Sequence, residues 1–293
     1  MALQLTGKAR WSARDYNALA REGYRKNAIA YRCIRLITEA AASVPFCTRR
    51  DGQCTADDAA QKLLNRPSVK ISRAEFFEAH YGYLHLHGNA YLEAVVVDES
   101  PIALFTLRPD RMRADVGSDG WPIAWKYTAN NETRRFPLDE LSGRSLIHHM
   151  QLFHPTDDIY GFSPLEAAIQ AVDIHNTGGV WTKSLLDNSA RPSGALIYKG
   201  NSGEDRLSDE QFDRLKLELE SSHAGARAAG RPLLLEGGLD WKPMSLSPAD
   251  MDFINARREA AREIALAFGV PPMLLGIPGD NTYANYKEAN LAF

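Results

Sequence analysis

Residues 247–272 read SPADMDFINARREAAREIALAFGVPP, and this stretch predicts a long helix with both ends marked. Ser247 is a typical N-cap, Pro248 takes the first helical position, and Gly269 before two prolines ends the helix. At 1.5 Å per residue such a helix spans roughly 30–38 Å. Charged residues cover most of its surface, and its narrow apolar stripe consists of Met251, Ile254, Ala261, Ile264, Ala265 and Phe268.

A segment further upstream predicts a second long helix. Ser163 is followed by Pro164 at the first helical position and by Glu166 at the third, and periodic apolar residues continue to about Asn188. Two glycines in its middle, residues 178–179, each cost about 1 kcal/mol relative to alanine, so we expect a kink there.

Between these helices the sequence predicts a small α/β insert. Residues 194–198 are expected to form a strand, and the Ser208–Gln211 segment is a capping box that opens a short helix. Residues 232–235 and the region of Trp241 flank two glycines and predict a hairpin. The predicted order is therefore long helix, small insert, long helix.

The first half of the chain predicts an α+β arrangement of two helices followed by an antiparallel meander. Asn27 is expected to cap a helix that runs to about Ser43, and the Ser72–Glu75 capping box opens a helix that Gly88 ends. Strands are predicted where Val and aromatic residues lie between turn signals, at 90–97, 102–107, 123–128 and 146–153.

Composition and charge exclude several classes of protein. The 293 residues are 44% hydrophobic and 24% charged, which excludes wholesale disorder, and the net charge of −3 excludes a polycation that coats nucleic acid by charge alone. The charge is uneven, because residues 1–50 carry ten Lys/Arg and three Asp/Glu, whereas residues 201–250 carry six and ten. The basic start is expected to be a solvent-exposed arm, with a contact for an acidic partner as the alternative.

The sequence also gives no sign of a membrane span, a signal peptide, a disulfide framework or a zinc site. No run reaches the ~18 apolar residues of a membrane span, and residues 1–12 lack the apolar core of a signal peptide. Cys33, Cys47 and Cys54 are an odd number, so we expect free thiols in a reducing compartment. They contain no C-x₂-C pair, so no zinc site is expected.

Catalytic motifs are absent from the sequence. It contains no phosphate-binding loop and no dinucleotide-binding glycine motif. Ser163 lacks the second glycine of a nucleophile elbow. We therefore predict no catalytic residue, cofactor or metal, while one alternative stays open: a metal-dependent hydrolase that uses His148, His149 or His154 with Asp157.

Nine motifs, in order along the chain, resemble those of HK97-type phage portal proteins. They include YRCIRLITEAAASVP at 31–45, LHGNAY at 86–91 and YGFSPLEAA at 160–168. The others lie at 107–111, 190–194, 207–211, 235–243, 268–276 and 282–293. The resemblance covers about residues 27–293, and nine motifs in register make it specific.

The resemblance implies a structural role in a virion. Members of this family form a ring, usually of twelve copies, at one capsid vertex, through which double-stranded DNA is packaged and ejected without sequence reading. The implied partners are further copies of the chain, the large terminase, the major capsid and scaffold proteins, and a head-completion or adaptor protein. No membrane partner is implied, and assembly is expected in the host cytoplasm. A monomeric adaptor domain that binds only proteins is a second alternative.

The resemblance also implies a domain organisation. It places a basic arm at 1–26, an α+β wing at 27–162, stem helices at 163–189 and 247–269, a clip at 190–246, and at 270–293 a loop with the start of a C-terminal wing or crown helix. Family members usually continue past the last motif, and the helical pattern that begins near Thr282 is unbroken at Phe293. We therefore expect the C-terminal part to be missing.

Three groups of candidate functional residues follow from this assignment. A weakly acidic or neutral bore would avoid salt-dependent attraction to DNA phosphates. We therefore expect the channel- or stem-facing residues on the charged surface of the second stem helix: Arg257, Arg258, Glu259, Arg262 and Glu263. Contacts of the clip with terminase or adaptor are expected at Asp209, Glu210, Glu218 and Glu220. A mobile loop near the bore is expected around Gly276, Pro278, Gly279 and Asn281. Apolar stem residues are expected to serve partly as core and partly as subunit interface: Leu165, Ile169, Val172, Met251 and Ile254.

Overall fold

The structure is a computed structural model with an α+β fold. It describes residues 11–50, 53–54, 58–139, 141–187, 194–198, 208, 210–214, 217, 239–243, 248–277 and 283–293. The chain divides into two compact units, Met1–Asp173 with Ala260–Phe293, and Ile174–Glu259. Both unit boundaries fall within the two long helices.

The two helices that the sequence predicts in the first half begin and end where expected. Helix α2 (Ala28–Ser43) is capped by the Asn27 side chain, which accepts hydrogen bonds from two backbone N–H groups. Helix α4 (Arg73–His87) opens with the complete Ser72 capping box and ends at Gly88, whose φ of 78° lies in the left-handed region that glycine tolerates. Two further helices of this half, α1 (Tyr16–Ala18) and α3 (Ala59–Asn65), were not predicted.

The predicted meander is divided between two antiparallel sheets. In one sheet β3 (Asn89–Val97) lies between β4 (Ser100–Leu107) and β8 (Ile147–Gln151). In the other, β6 (Pro122–Ala129) lies between β5 (Met112–Val116) and β7 (Glu132–Pro137). Strands β5 and β7 were not predicted. Strand β7 buries only Phe136, and its sequence shows no alternation of apolar and polar residues that would indicate a strand.

Residues 11–25 of the N-terminal segment pack onto unit 1 and do not form the solvent-exposed arm that the charge predicts, while residues 1–10 lie outside the described residues. Residues 19–25 form a π-helix directly after α1, and the side chain of Leu19 is fully buried. The Ser12 backbone N–H and hydroxyl both donate to the Asp173 carboxylate, at 2.8 and 2.6 Å. The few apolar residues at 11–25 are therefore enough to pack this part of the chain onto unit 1, while Arg14, Arg21, Arg25 and Lys26 remain at the surface.

The cysteine prediction is wrong for two of the three residues. Cys47 and Cys54 form a disulfide bond across the short hairpin of β1 (Arg49–Arg50) and β2 (Gln53–Cys54), which brings their Cα atoms to 5.6 Å. Cys33 is a buried free thiol, as predicted, and burial raises its pKa to about 12.

The two long helices are present, and the first is interrupted near its start. After α5 (Pro164–Ala167), Ala168 breaks the pattern before α6 (Ile169–Asp187). The second, α7 (Pro248–Ala267), is followed by Gly269 with a φ of 66°. Within the described residues no helix is long and apolar enough to cross a membrane.

The insert and the C-terminal end agree with the sequence where they are described. Strand β9 (Gly194–Tyr198) pairs antiparallel with β10 (Leu239–Pro243), and Ser208 and Gln211 exchange the hydrogen bonds of a capping box. The predicted hairpin turn at 232–238 lies outside the described residues. Helix α8 (Tyr283–Ala292) is the predicted last helix.

The main core of unit 1 is formed by α2, α5 and parts of α6 and α7. Leu165, Ile169 and Val172 are at most 3% exposed in it, so they are core residues and not subunit interface. Ile254 in α7 is 49% exposed, and the side chain of Met251 lies outside the described part of the chain.

Candidate functional site

The start of the first long helix is fixed by a contact between two glycine-containing turns. Gly88 ends α4 and lies against the backbone of Gly161, so that a Cβ added at Gly88 would lie 2.5 Å from the Gly161 carbonyl carbon. A side chain at Gly161 would collide with the Gly88 carbonyl oxygen in return. The motifs at 86–91 and 160–168 thus meet in space, and each requires glycine because the two backbones touch.

Asn89 locks this contact with a buried hydrogen-bond network. Its Oδ1 accepts from the Gly161 backbone N–H at 2.8 Å and lies 2.9 Å from His149 Nε2. Its Nδ2 donates to the carbonyl oxygens of His87 at 3.0 Å and Gly161 at 3.3 Å. Since Asn89 is fully buried, these bonds satisfy side-chain atoms of Asn89 that water cannot reach.

Two residues after this contact the chain enters α5. Ser163 accepts from the Glu166 backbone N–H at 2.9 Å and so caps the helix, as the sequence predicts. Leu165 packs against Gly23 of the N-terminal segment, where an added Cβ would lie 2.7 Å from the Leu165 methyl carbons. Burial raises the pKa of Glu166 above its usual range.

Within unit 2, α6 and α7 approach closely at a glycine. A Cβ added at Gly178 would lie 3.5 Å from the side chain of Arg257, and the Trp181 and Phe253 rings lie 5.1 Å apart. Helix α6 continues through Gly178, so the glycine provides space for the neighbouring helix. A kink at this position stays a prediction. Burial, with Arg257 as the second cause, lowers the pKa of His175.

The candidate channel residues lie on the solvent side of α7 with one exception. Arg258, Glu259, Arg262 and Glu263 are exposed, whereas Arg257 is partly buried and packs on Gly178. Among the clip candidates, Glu210 is exposed at the start of a described helical turn. Asp209, Glu218 and Glu220 lie outside the described residues.

The segment after α7 is more regular than the predicted mobile loop. Residues Pro272–Leu275 form a 3₁₀ turn that ends at Gly276, with a φ of 70°. Ile277 is buried against Ala261 and Ala265 of α7, which holds this part of the segment in place. The candidates Pro278, Gly279 and Asn281 lie outside the described residues.

Two of the candidates of the hydrolase alternative, His149 and Asp157, have structural roles. His149 stacks on Tyr91 at 4.4 Å, and burial, with His148 as a second cause, lowers its pKa to about 4. The Asp157 Oδ1 accepts from two backbone N–H groups and forms a turn. Across the described part of the chain, no three His, Cys, Asp or Glu side chains form a group that could hold a metal ion.

Comparison with known proteins agrees with the resemblance seen in the sequence. The phage portal protein family matches residues 28–293. This chain belongs to the phage portal protein family. The HK97-type assignment is confirmed, because the chain is 25% identical to the portal protein of Enterobacteria phage HK97 over 276 residues, covering 90% of this chain and 61% of that one. Portal proteins are structural, and they act as rings of several copies.

Closer relatives occur among bacterial and gene-transfer proteins. An uncharacterised protein of Rickettsia bellii is 44% identical over 273 residues, which cover 92% of this chain and 70% of that protein. A chain in the virion of a native gene transfer agent particle is 51% identical, with a TM-score of 0.73 over 98% of this portal chain and 77% of that chain. An HK97-family portal protein from Corynebacterium diphtheriae shares the fold, with a TM-score of 0.58 over 96% of this chain and 85% of that one, at 13% identity.

Sequence reasoning missed the residues that anchor the start of the first long helix. Asn89 and Gly161 both lie in quoted motifs, yet nothing in the sequence joins two segments 72 residues apart. A polar residue directly after a helix-ending glycine was the available signal for Asn89, because such a position favours side-chain to backbone hydrogen bonds.

Proposed function

We propose that twelve copies of this portal chain form a ring in the neck of a phage or gene-transfer particle, and that double-stranded DNA passes through the bore during packaging and ejection. The observation that carries the proposal is the 51% identity, over 98% of this chain, to a protein in gene-transfer-agent particles. A matching chain comes from a neck computed with C12 symmetry. At this identity a shared fold and a shared mode of assembly are expected together.

In the proposed ring the chain is organised into a wing, two stem helices and a clip. The wing comprises 27–162, the stem helices comprise 163–189 and 247–269, and the clip comprises 190–246. The Asn89 network supports this assignment, since it fixes the position at which the first stem helix leaves the wing. A rigid attachment of this kind would keep twelve stems in one orientation while DNA moves past them.

The bore is proposed to hold DNA without strong attraction. Each phosphate paired with an arginine or lysine would add a salt-dependent contact that slows sliding. The exposed surface of α7 carries arginines and glutamates in equal number between residues 258 and 263. Such a surface presents little net charge to a passing duplex.

The clip and the wing are proposed to bind the other proteins of the particle. The clip would dock the large terminase during packaging and a head-completion or adaptor protein afterwards, with Glu210 among its exposed acidic residues. The wing would contact the major capsid and scaffold proteins during assembly in the host cytoplasm. The role is mechanical throughout, and we propose that it needs no catalytic residue.

The ring is tested by measuring the mass and the shape of the purified 293-residue chain. Twelve copies of 32.5 kDa correspond to about 390 kDa, which mass photometry resolves from the monomer. End-on views in negative-stain microscopy should show a closed ring with a central hole. Monomers at every concentration, from nanomolar to tens of micromolar, would contradict the proposal and favour the monomeric adaptor domain.

A further inference from the structure

The Cys47–Cys54 disulfide lies at the surface of unit 1. Both of its cysteines are exposed, whereas Cys33, the third cysteine of the chain, is buried in the main core. A disulfide breaks and re-forms when a thiolate reaches one of its sulfur atoms, so exposure decides which cysteines can exchange. Small thiols and disulfides can therefore reach the Cys47–Cys54 pair and not Cys33.

The β1 side of this hairpin is held in place by contacts that do not involve the bond. The Gln61 side chain accepts from the Thr48 backbone N–H at 2.9 Å and donates to the Phe46 carbonyl oxygen at 2.7 Å. The Phe46 ring packs against the Phe77 ring of α4 with 4.8 Å between centroids, and the Arg73 guanidinium lies 5.0 Å above Phe46. This side of the hairpin is therefore expected to stay in place without the disulfide.

The β2 side depends much more on the disulfide. Strand β2 pairs with β1 at two positions, Arg49 with Cys54 and Arg50 with Gln53, and within the described residues these two strands form a sheet of their own. An isolated two-stranded hairpin is marginally stable at best in water. Opening the disulfide is thus expected to release β2 while β1 stays attached.

We propose that Cys47 and Cys54 form a reversible thiol–disulfide exchange site, which stays reduced during assembly in the host cytoplasm and closes after the particle leaves the cell. This inference rests on the proposed function, which places assembly in a reducing compartment. Glutathione keeps most cytosolic thiols reduced, and an exposed disulfide is the kind that such thiols open. The closed bond then holds β2 to the rest of unit 1 in the released particle.

Closure takes place by exchange with a low-molecular-weight disulfide, such as oxidised glutathione. The thiolate of one cysteine attacks that disulfide, whose S–S bond breaks; a mixed disulfide forms on the protein and one small thiolate leaves. The thiolate of the second cysteine then attacks the protein sulfur of the mixed disulfide and releases the second small thiolate. Two electrons pass from the cysteines to the small disulfide, and the two cysteine protons end on the two small thiols. The Cα atoms, 5.6 Å apart, allow the second step without backbone movement.

Trapping the thiols at lysis tests the timing of closure. The 293-residue chain is made in bacterial cytoplasm, lysed in denaturant with N-ethylmaleimide, and weighed by mass spectrometry. We expect three modified cysteines. After the folded, purified chain has been incubated with oxidised glutathione, the same treatment should modify only Cys33. A bond that is already closed at lysis would overturn the timing, and exchange at Cys33 as fast as at the exposed pair would overturn the site.

Two matched variants test the exchange step. With oxidised glutathione, Cys54→Ser should stop at the mixed disulfide and carry one glutathione on Cys47, and Cys47→Ser should carry one on Cys54. Serine is close to cysteine in size, and both positions are exposed, so both variants are expected to fold. Absence of the adduct from both variants would contradict exchange at this pair.

Trypsin cleavage after the exposed Arg49 tests what the bond holds. Proteolysis follows the population of the opened segment, so the fragment should appear about tenfold faster or more from the reduced chain than from the oxidised chain. In Cys54→Ser the rates with reduced and oxidised glutathione should be equal. Equal rates in the unaltered chain would contradict a role in holding β2. If the chain forms no ring, the proposed function fails; if the bond is closed at lysis, the timing fails even where rings form.

Discussion

Replacing Asn89 by alanine tests whether the contact between the two glycine turns fixes the start of the first long helix. The change removes an acceptor from the Gly161 N–H and from His149, and a donor to the carbonyl oxygens of His87 and Gly161. A buried polar group left without a partner costs about 1–3 kcal/mol. Because these four groups lie around one small site and can relax together, we expect a total loss of about 3–5 kcal/mol in the free energy of unfolding.

The measurement is urea unfolding of the full chain, followed by circular dichroism and by tryptophan fluorescence. The midpoint for Asn89→Ala should move well below that of the unaltered chain, whereas Asn17→Ala, at an exposed position in α1, should change the free energy by less than about 0.5 kcal/mol. Equal midpoints for the two variants would refute the reasoning. Asn89→Asp adds a second check. It retains the acceptor for Gly161 N–H but turns a carboxylate oxygen toward two carbonyl oxygens, so it should also destabilise.

Three further predictions follow from other parts of unit 1. Leu19→Ala should lower the free energy of unfolding, measured in urea, by about 2–4 kcal/mol, because Leu19 is fully buried. Val69→Ala, at an exposed position, should leave that free energy almost unchanged. Similar losses in the two variants would mean that the N-terminal segment is not packed. Burial lowers the pKa of His80 to about 4, so the folded state binds fewer protons than the unfolded state between pH 4 and 6.5. His80 alone should therefore contribute a loss of about 3 kcal/mol in stability as the pH drops through this range, and the pH-dependent loss measured by urea unfolding should be smaller by about that amount in His80→Phe. The Cys47–Cys54 bond predicts that the unreduced chain is about 2 Da lighter than the reduced chain, and that reduction lowers its melting temperature; equal masses would exclude the bond.

The elements predicted correctly are those whose signals are local. The Ser72 capping box, the Asn27 cap and the Gly269 helix end each depend on residues within one turn of the boundary, and all three agree with the structure. The errors have non-local causes. Strand β7 is stabilised by pairing with β6 and not by its own pattern, and Cys47 meets Cys54 only because a hairpin forms between them.

In the candidate site, too, residues with a local sequence signal were predicted and residues joined by non-local contacts were missed. The charged surface of α7 was found from periodicity alone, because solvent-facing residues of one helix repeat with the helical period. The anchor at Asn89 and Gly161 was not, because it joins segments 72 residues apart through backbone contact that has no sequence period. Sequence resemblance located both motifs, and only the structure showed that they form one contact.

The N-terminal segment has a role that its position in the sequence obscures. The family match begins at residue 28, yet Leu19 is buried in the same core as Leu165, and Ser12 binds Asp173 of α6 with two hydrogen bonds. The first long helix is therefore held near its start from two directions, by the Gly88–Gly161 contact and by this preceding segment. With such a double attachment, loss of one contact leaves the other to resist rotation of the helix. The basic charge of the segment then reflects its exposed outer surface, while its fold is decided by the few apolar residues that charge counting overlooks.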